Sequence, residues 1–316
     1  MNVGRRNALK AIVAGGALAA AKAAPVEASR VRGFTSPNAM GMLYDTTLCI
    51  GCKACVVACR EANNLEYRRD AEGLHHAPVD LDSRTKNVIK LYKAADGPER
   101  SYVKAQCMHC IDPACAASCM LGSLKKDDVT GIVGYDPTYC VGCRYCMMSC
   151  PYNVVKFEYE KAVPKVVKCE LCRHRVESAT LADDGGFSRY PKSHGPACCE
   201  VCPRGAVIYG KRSELLREAK RRLAENQGRY VAKVFGETDG GGTQVLYLAH
   251  VDFDKIGFPQ LSDHGVPETA YAIQEGLYKG FAAPVALYGL LGIVMFRNRK
   301  KNEASGGDPR KKGGRL

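Results

Sequence analysis

The chain has 316 residues, a formal charge of +13 and 17 cysteines, an odd number. That length allows one large domain or two smaller ones with real cores, and cysteines at about 5% of the residues are too sparse for a small disulfide scaffold. Four of the excess charges lie at Arg5, Arg6, Lys10 and Lys22 and six from Arg297 onward, which leaves +3 for residues 25 to 296 and excludes a nucleic-acid footprint on the central domain.

Residues 1 to 24 read as an export signal. GRRNALKAIVAGGALAAAKAAP sets the pair Arg5-Arg6 before a mildly apolar Ala/Gly run and a stretch of small residues. The layout is of the twin-arginine kind, with Leu9-Lys10 at the expected offset and Ala8 where phenylalanine is usual. Cleavage is expected at Ala21-Lys22-Ala23 or at Val26-Glu27-Ala28.

From residue 41 to residue 212 the cysteines fall into four groups. The first is Cys49, Cys52, Cys55 and Cys59 in CIGCKACVVAC. The second is Cys107, Cys110, Cys115 and Cys119 in CMHCIDPACAASC, with a wider middle gap. The third is Cys140, Cys143, Cys146 and Cys150 in CVGCRYCMMSCP. The fourth opens with Cys169 and Cys172 in CELC and resumes in ACCEVCP with Cys198, Cys199 and Cys202. Three thiolates within seven residues wrap one corner of a small cluster, and a fourth, one helical turn on, points to a second cluster; C-x2-C-x2-C-x3-C therefore reads as a [4Fe-4S] motif. Zinc sites also use C-x2-C pairs, but they need two pairs and give no reason to repeat a cysteine at x3. Disulfides between such crowded neighbours are a weaker rival. Four repeats point to four [4Fe-4S] clusters, with the sixteen cysteines as iron ligands. The seventeenth is Cys199: only Cys198 keeps the three-residue gap to Cys202 that the other groups share, and Cys199, about 100° further round a helix, is expected to face away from the site.

Two inserts, 60 to 106 and 173 to 197, are polar and contain Gly and Pro, and read as surface segments for docking. Val88 to Ala94 and Thr243 to Val251 alternate in part and are expected strands. Gly205 to Arg212 nearly fits a phosphate loop, but Arg212 stands where Ser or Thr is required. In the extension 213 to 276, Ser213 is the expected N-cap of a helix through Glu225, with Leu215, Leu216, Ala219 and Leu223 on one face and Arg217, Lys220, Arg221 and Arg222 on a solvated one. His109 and His174 adjoin ligand cysteines without ligand spacing of their own and read as packed or exposed side chains.

Residues 281 to 296 carry no charge for 16 positions, which spans roughly 24 Å against a bilayer core of about 30 Å. Extended back to Leu277, with Lys279 snorkelling, the segment 277 to 296 is expected to be a single transmembrane helix. The tail 297 to 316 would then be cytoplasmic by the positive-inside rule, and the domain would lie on the periplasmic face. The twin-arginine route carries proteins already folded around their cofactors, which reconciles export with clusters in an oxidising compartment.

Taken with these motifs, the chain resembles the multi-cluster ferredoxin subunits of molybdopterin oxidoreductases and membrane hydrogenases. It is most similar to the HybA family, the iron-sulfur subunit of the nickel-iron hydrogenase called hydrogenase 2. The likeness runs through GMLYDTTLCIGCKAC, QCMHCIDPAC, DPTYCVGCRYCMMSCPYNV, KCELC, EVCPRGAVIYG, GGGTQVLYL and LYKGFAAPVAL. It departs at Arg60 and Met120, which follow Cys59 and Cys119 where ferredoxins usually have proline, as at Pro151 and Pro203. The resemblance implies an α+β fold of two ferredoxin-like two-cluster units, each of short strands and short helices. It implies that Cys49, Cys52 and Cys55 take Cys202, and that Cys169, Cys172 and Cys198 take Cys59. Likewise Cys107, Cys110 and Cys115 take Cys150, and Cys140, Cys143 and Cys146 take Cys119. Spacing alone equally allows the first group to pair with the second. The implied function is electron transfer, without bond chemistry of its own, between the hydrogenase small subunit and an integral membrane quinone-reactive subunit. The rivals are the same wire serving a formate, polysulfide or sulfoxide-type molybdoenzyme, and a zinc-binding structural or assembly protein.

Overall fold

Strand β1, Met40–Asp45, is buried at every position, because apolar side chains leave it on both faces. Met42 and Tyr44 enter the main core, while Leu43 enters a second cluster on the opposite face. These are features of a computed structural model that describes residues 35–66, 80–93, 100–176 and 195–304, all within the unit Thr35–Leu316. The expected signal at 1 to 24 and the tail beyond 304 lie outside the described residues, as do parts of both inserts.

The fold is α+β with small sheets. Helix α1, Ala54–Ala62, follows β1 and is followed by the hairpin β2, Asn87–Lys93, and β3, Arg100–Gln106. One-turn helix α2, Ala114–Ala117, leads to the hairpin β4, Leu124–Lys126, and β5, Val133–Tyr135, and to one-turn α3, Tyr145–Met148. A two-residue ladder joins β6, Lys156–Phe157, to β7, Val166–Val167. Short helices α4, Arg173–Val176, and α5, Ala197–Glu200, precede β8, Val207–Lys211. Strand β8 pairs antiparallel with β1, and β9, Val245–Leu248, pairs parallel on its other side. This sheet ties the start of the cysteine-bearing region to its end, and α1 packs on α5 while α2 packs on α3. The first insert is not confined to the surface: Val88, Ile89 and Val103 of its hairpin are core residues.

Helix α6, Arg212–Glu225, begins two residues before the Glu214 start that a Ser213 N-cap implies; Lys211 is the N-cap and no side chain caps the helix. The Arg212 amide instead donates to Ala39 O at 2.8 Å, extending the β1–β8 ladder into the helix's first residue. Leu215 and Ala219 are buried against β1 and β9, with Leu216 and Leu223 packed at the margin, as the spacing predicts. The basic face is only partly solvated. Arg222 bonds Asp45 at 3.1 Å, and Asp45, fully buried, also accepts from Tyr230 at 2.9 Å and Thr47 at 2.6 Å. Asp45→Ala removes the buried anion that Arg222, Tyr230 and Thr47 share, leaving Arg222 with Glu218 alone, and should lower the unfolding free energy by about 3 kcal/mol. Thermal denaturation of the purified variant checks this; an unchanged midpoint would refute the buried pair's structural role.

The expected transmembrane helix at 277 to 296 is not borne out. Helix α7 spans Glu268–Ala304, yet among the described residues no helix is long and apolar enough to cross a membrane. The charge-free run between Lys279 and Arg297 is 17 residues, Gly280 to Phe296, with Arg299 close beyond it. Residues 297–304 continue the same helix.

Candidate metal centre

The C-x-x-C pair that opens each of the four groups is bent the same way. The residue before the second cysteine has positive φ in each: Gly51 (71°), His109 (49°), Gly142 (69°) and Leu171 (52°). The bend turns backbone amides onto sulfur: Gly51 N–H donates to Cys49 Sγ and Leu171 N–H to Cys169 Sγ, both at 3.4 Å. Ala206 N–H donates to Cys202 Sγ at 3.3 Å. Glycine takes this backbone region without steric cost, whereas His109 and Leu171 hold it at a cost of about 1 kcal/mol each. At Gly51 a side chain is also excluded by space, since a Cβ would lie 2.3 Å from the Tyr102 ring. After each bend the third cysteine is carried on a helix: Cys55 on α1, Cys115 on α2, Cys146 on α3 and Cys198 on α5.

The sixteen expected thiols come together in four quartets, here A to D. In A, Cys49, Cys52, Cys55 and Cys202 line one cavity. In B, burial raises Cys59, and the neighbouring Cys198, Cys169 and Cys172 raise it further. In C, Cys110 is raised by burial and then by Cys107, Cys115 and Cys150. In D, burial pushes Cys146 up to about 11, with Cys119, Cys143 and Cys140 adding to it. Each quartet thus takes its fourth member from a distant group, and the partners are first with fourth and second with third.

The quartets follow one another in a line. Cys55 of A feels Cys198 of B, Cys169 of B feels Cys107 of C, and Cys115 of C feels Cys146 of D. Of the seventeen cysteines only Cys52, in A, and Cys143, in D, are exposed. The line therefore runs through the interior and surfaces at its two ends.

Two buried lysines lie along it, and sequence reasoning missed both. Lys104 is 0% exposed and donates to Gln106 Oε1. Burial works to lower its pKa, but Cys198, Cys55 and Cys169 raise it above the ordinary lysine value. Lys168 is 2% exposed, donates to Val133 O and to Cys169 O at 3.1 Å, and is held up by Cys107, Cys115 and Glu170 against the effect of burial. The signal available in the sequence was slight: a lysine just upstream of a cysteine in a strand-like stretch, YVKAQC and VVKC.

Cys199 is buried in the main core cluster with Cys198: burial, and then Cys198, raise its pKa above the usual thiol value, while Cys199 lowers that of Cys198. His109 accepts the Val133 amide at 2.9 Å and burial holds its pKa well below the usual value, so it packs as a neutral ring; His174 is exposed and contacts Ala62 O. Arg212, where a phosphate loop needs a hydroxyl, donates to the carbonyls of Thr243, Gly236 and Glu237.

The donor set fits iron-sulfur clusters. All seventeen cysteines are free. Among the described residues no three or more Cys, His, Asp or Glu close on one point as a single-ion site does. Burial pushes Cys55, Cys115 and Cys169 up to about 12, so these sulfurs ionise near neutral pH only against a strongly cationic centre.

Comparison with known proteins agrees. The family described as "4Fe-4S dicluster domain" matches residues 99–212. The chain is 38% identical to the Hydrogenase-2 operon protein HybA of Escherichia coli O157:H7, over 96% of this chain and 98% of the relative. It is 32% identical to the nitrate-inducible formate dehydrogenase iron-sulfur subunit of Escherichia coli strain K12, over 83% and 84% of the two chains. Against the formate dehydrogenase iron-sulfur subunit of Haemophilus influenzae the identity is 30%, over 80% and 77%.

Proposed function

The chain belongs to the HybA family and is an iron-sulfur electron-transfer subunit, and on that footing we propose that it conducts electrons from a nickel-iron hydrogenase toward quinone through four [4Fe-4S] clusters. The observation that carries the reading is the line of four sulfur quartets with one exposed cysteine at each end. Cys49, Cys52, Cys55 and Cys202 would hold the first cluster, and Cys59, Cys169, Cys172 and Cys198 the second. Cys107, Cys110, Cys115 and Cys150 would hold the third, and Cys119, Cys140, Cys143 and Cys146 the fourth. Bound there, the clusters supply reversible one-electron storage.

The protein's own part is to position and insulate. The left-handed bends fix the first two sulfurs of each motif and aim amides at them, which favours charge on sulfur. Met42, Val88, Val103 and Val245 around A, B and C, and Leu124, Val133 and Phe157 around C and D, keep water from the interior sites. The exposed ends are where partners would meet the line: the hydrogenase small subunit at one, a quinone-reactive membrane subunit at the other. The chain would do no bond chemistry, and the Arg5-Arg6 signal supports work at the periplasmic face after folded export. Near-complete coverage of both chains favours the hydrogenase over the formate dehydrogenase likeness, which covers less of each.

Membranes from cells lacking this chain should keep H2-dependent reduction of an artificial dye and lose H2-dependent reduction of quinone. Intact H2-to-quinone activity with lost formate-to-quinone activity would instead assign the chain to a molybdoenzyme. A colourless protein containing zinc and no acid-labile sulfide would eliminate the wire altogether.

A further inference from the structure

Exposed apolar side chains are not spread evenly over the cysteine-bearing region; they gather round site D. Met120, Met148, Val141 and Val163 are 81%, 78%, 72% and 72% exposed, and Tyr139, Tyr145 and Tyr159 are each more than half exposed. Three contacts join their segments into one surface. The Ser118 and Ser149 hydroxyls lie 2.9 Å apart, which brings the segment leading to Met120 against the end of α3, where Met148 sits. Gly142 is tight against Pro164, since a Cβ on it would lie 3.1 Å from that ring, so the segments of Val141 and Val163 adjoin. The Arg144 guanidinium lies over the Tyr159 ring at 4.8 Å, and the Tyr159 hydroxyl donates to Met147 Sδ at 2.9 Å. Cys143, the exposed sulfur of D, stands between Val141 and Tyr145 in this collar. Met120 occupies the position where ferredoxins usually have proline, and there it adds a long, unbranched apolar side chain to the same surface.

A contiguous exposed apolar patch marks a contact with another apolar surface, and methionine and aromatic residues are enriched in the cores of protein interfaces. The rim carries both signs, Asp136 and Glu160 with Arg144 and Lys165. That mixture suits a protein face; an anionic lipid surface is held by clustered lysines and arginines. The other end of the line differs. Among the described residues, only Ile50 and Val201 are large exposed apolar side chains beside the cysteines of site A, and Lys53 and Arg204 line the same cavity. Helix α7 starts from the half that holds C and D: the Glu268 amide donates to Gly265 O at 2.9 Å, and a Cβ on Gly265 would lie 2.9 Å from Asp112 Oδ2 in the second motif. Further along α7, Tyr288, Leu291, Met295 and Phe296 are exposed too. We propose that the collar around Cys143 is the docking surface for the integral membrane quinone-reactive subunit, the more apolar of the two proposed partners, and that site A faces the hydrogenase small subunit. Docking there covers Cys143, the sulfur of D that water reaches in the chain alone.

This inference rests on the proposed function, and the test separates the two. Wild-type chain, Val141→Lys, Val163→Lys and Ile50→Lys are each expressed with a tagged membrane subunit, purified anaerobically from membranes, and assayed for iron, acid-labile sulfide and the hydrogenase small subunit. With cluster content intact, recovery of both collar variants on the tagged subunit should fall at least about tenfold, because an unpaired ammonium in an apolar interface costs that much or more. Ile50→Lys should be recovered as wild type is. The collar variants should still bind the small subunit and have their clusters reduced by H2 in low-temperature EPR, without passing electrons to quinone. Unchanged recovery of the collar variants overturns the inference, as does loss of the small subunit in place of the membrane subunit. Loss of clusters in both collar variants overturns it as well, by making the collar a folding element. So does binding of the wild-type chain alone to vesicles of phosphatidylethanolamine and phosphatidylglycerol that Val141→Lys abolishes, the mark of a lipid contact. Wild-type chain recovered with neither subunit overturns the proposed function itself.

Discussion

Replacing Cys198 with alanine should remove one of four clusters, while replacing Cys199 should remove none. The two residues are adjacent and both buried, so composition gives no reason to prefer either. The preference comes from geometry: Cys198 stands against Cys55, Cys59, Cys169 and Cys172, the sulfurs of B and its neighbour in A. Cys199 adjoins the quartet but breaks the three-residue gap to Cys202 that the other groups share. Iron and acid-labile sulfide should fall from about sixteen to about twelve of each per chain in Cys198→Ala, and stay at about sixteen in Cys199→Ala. Full cluster content in Cys198→Ala would show Cys199 taking its place, and would reverse the assignment.

Stripping iron should do more than bleach the protein. Helices α2, α3, α4 and α5 are single turns of four residues, far below the length at which a helix holds itself in water. Three of them carry cysteines whose sulfurs line the quartets, and the core clusters around Val88 and Phe157 include those same cysteines among their packed members. With nothing for the thiolates to bind, the quartets leave buried sulfur facing space, and binding energy that was folding energy is withdrawn. An iron chelator under reducing conditions should abolish the cooperative thermal transition of the 41 to 212 region and enhance binding of a hydrophobic dye. A sharp transition surviving complete iron removal would show that the apolar core suffices alone.

What could be read from the sequence follows from how local each signal is. The four cysteine groups are local, and their spacing carries chemistry whatever the surroundings, so the iron-sulfur character was legible from CIGCKAC and CVGCRYC alone. Helix α6 was legible because Leu215 and Ala219 fall on one face within a single segment. The pairing of groups was left open by spacing and came only with the family resemblance, because it depends on β1 meeting β8 across more than 160 residues of chain, from Met40 to Lys211. Lys104 and Lys168 were hidden for the same reason: a lysine in an alternating segment reads as solvent-facing unless the quartet closing around it is known. Arg222 looked like one more member of a basic face until Asp45 appeared beneath it. The transmembrane expectation failed on a marginal case, an uncharged run shorter than a bilayer core that needed Lys279 inside the span.

The crossing of chain ends in the β8-β1-β9 sheet also has a bearing on how the protein is made. On the proposed ligand set, sites C and D draw every sulfur from residues 107 to 150, so both are complete once that stretch has left the ribosome. Sites A and B wait for Cys202 and Cys198, and β1 has no antiparallel neighbour until β8 is synthesised. Half the wire is therefore ready for iron delivery while Cys49, Cys52, Cys55 and Cys59 are still held open by an unfinished chain. A biogenesis factor that shields those four thiols during translation would act on the N-terminal motif and not on the interior pair.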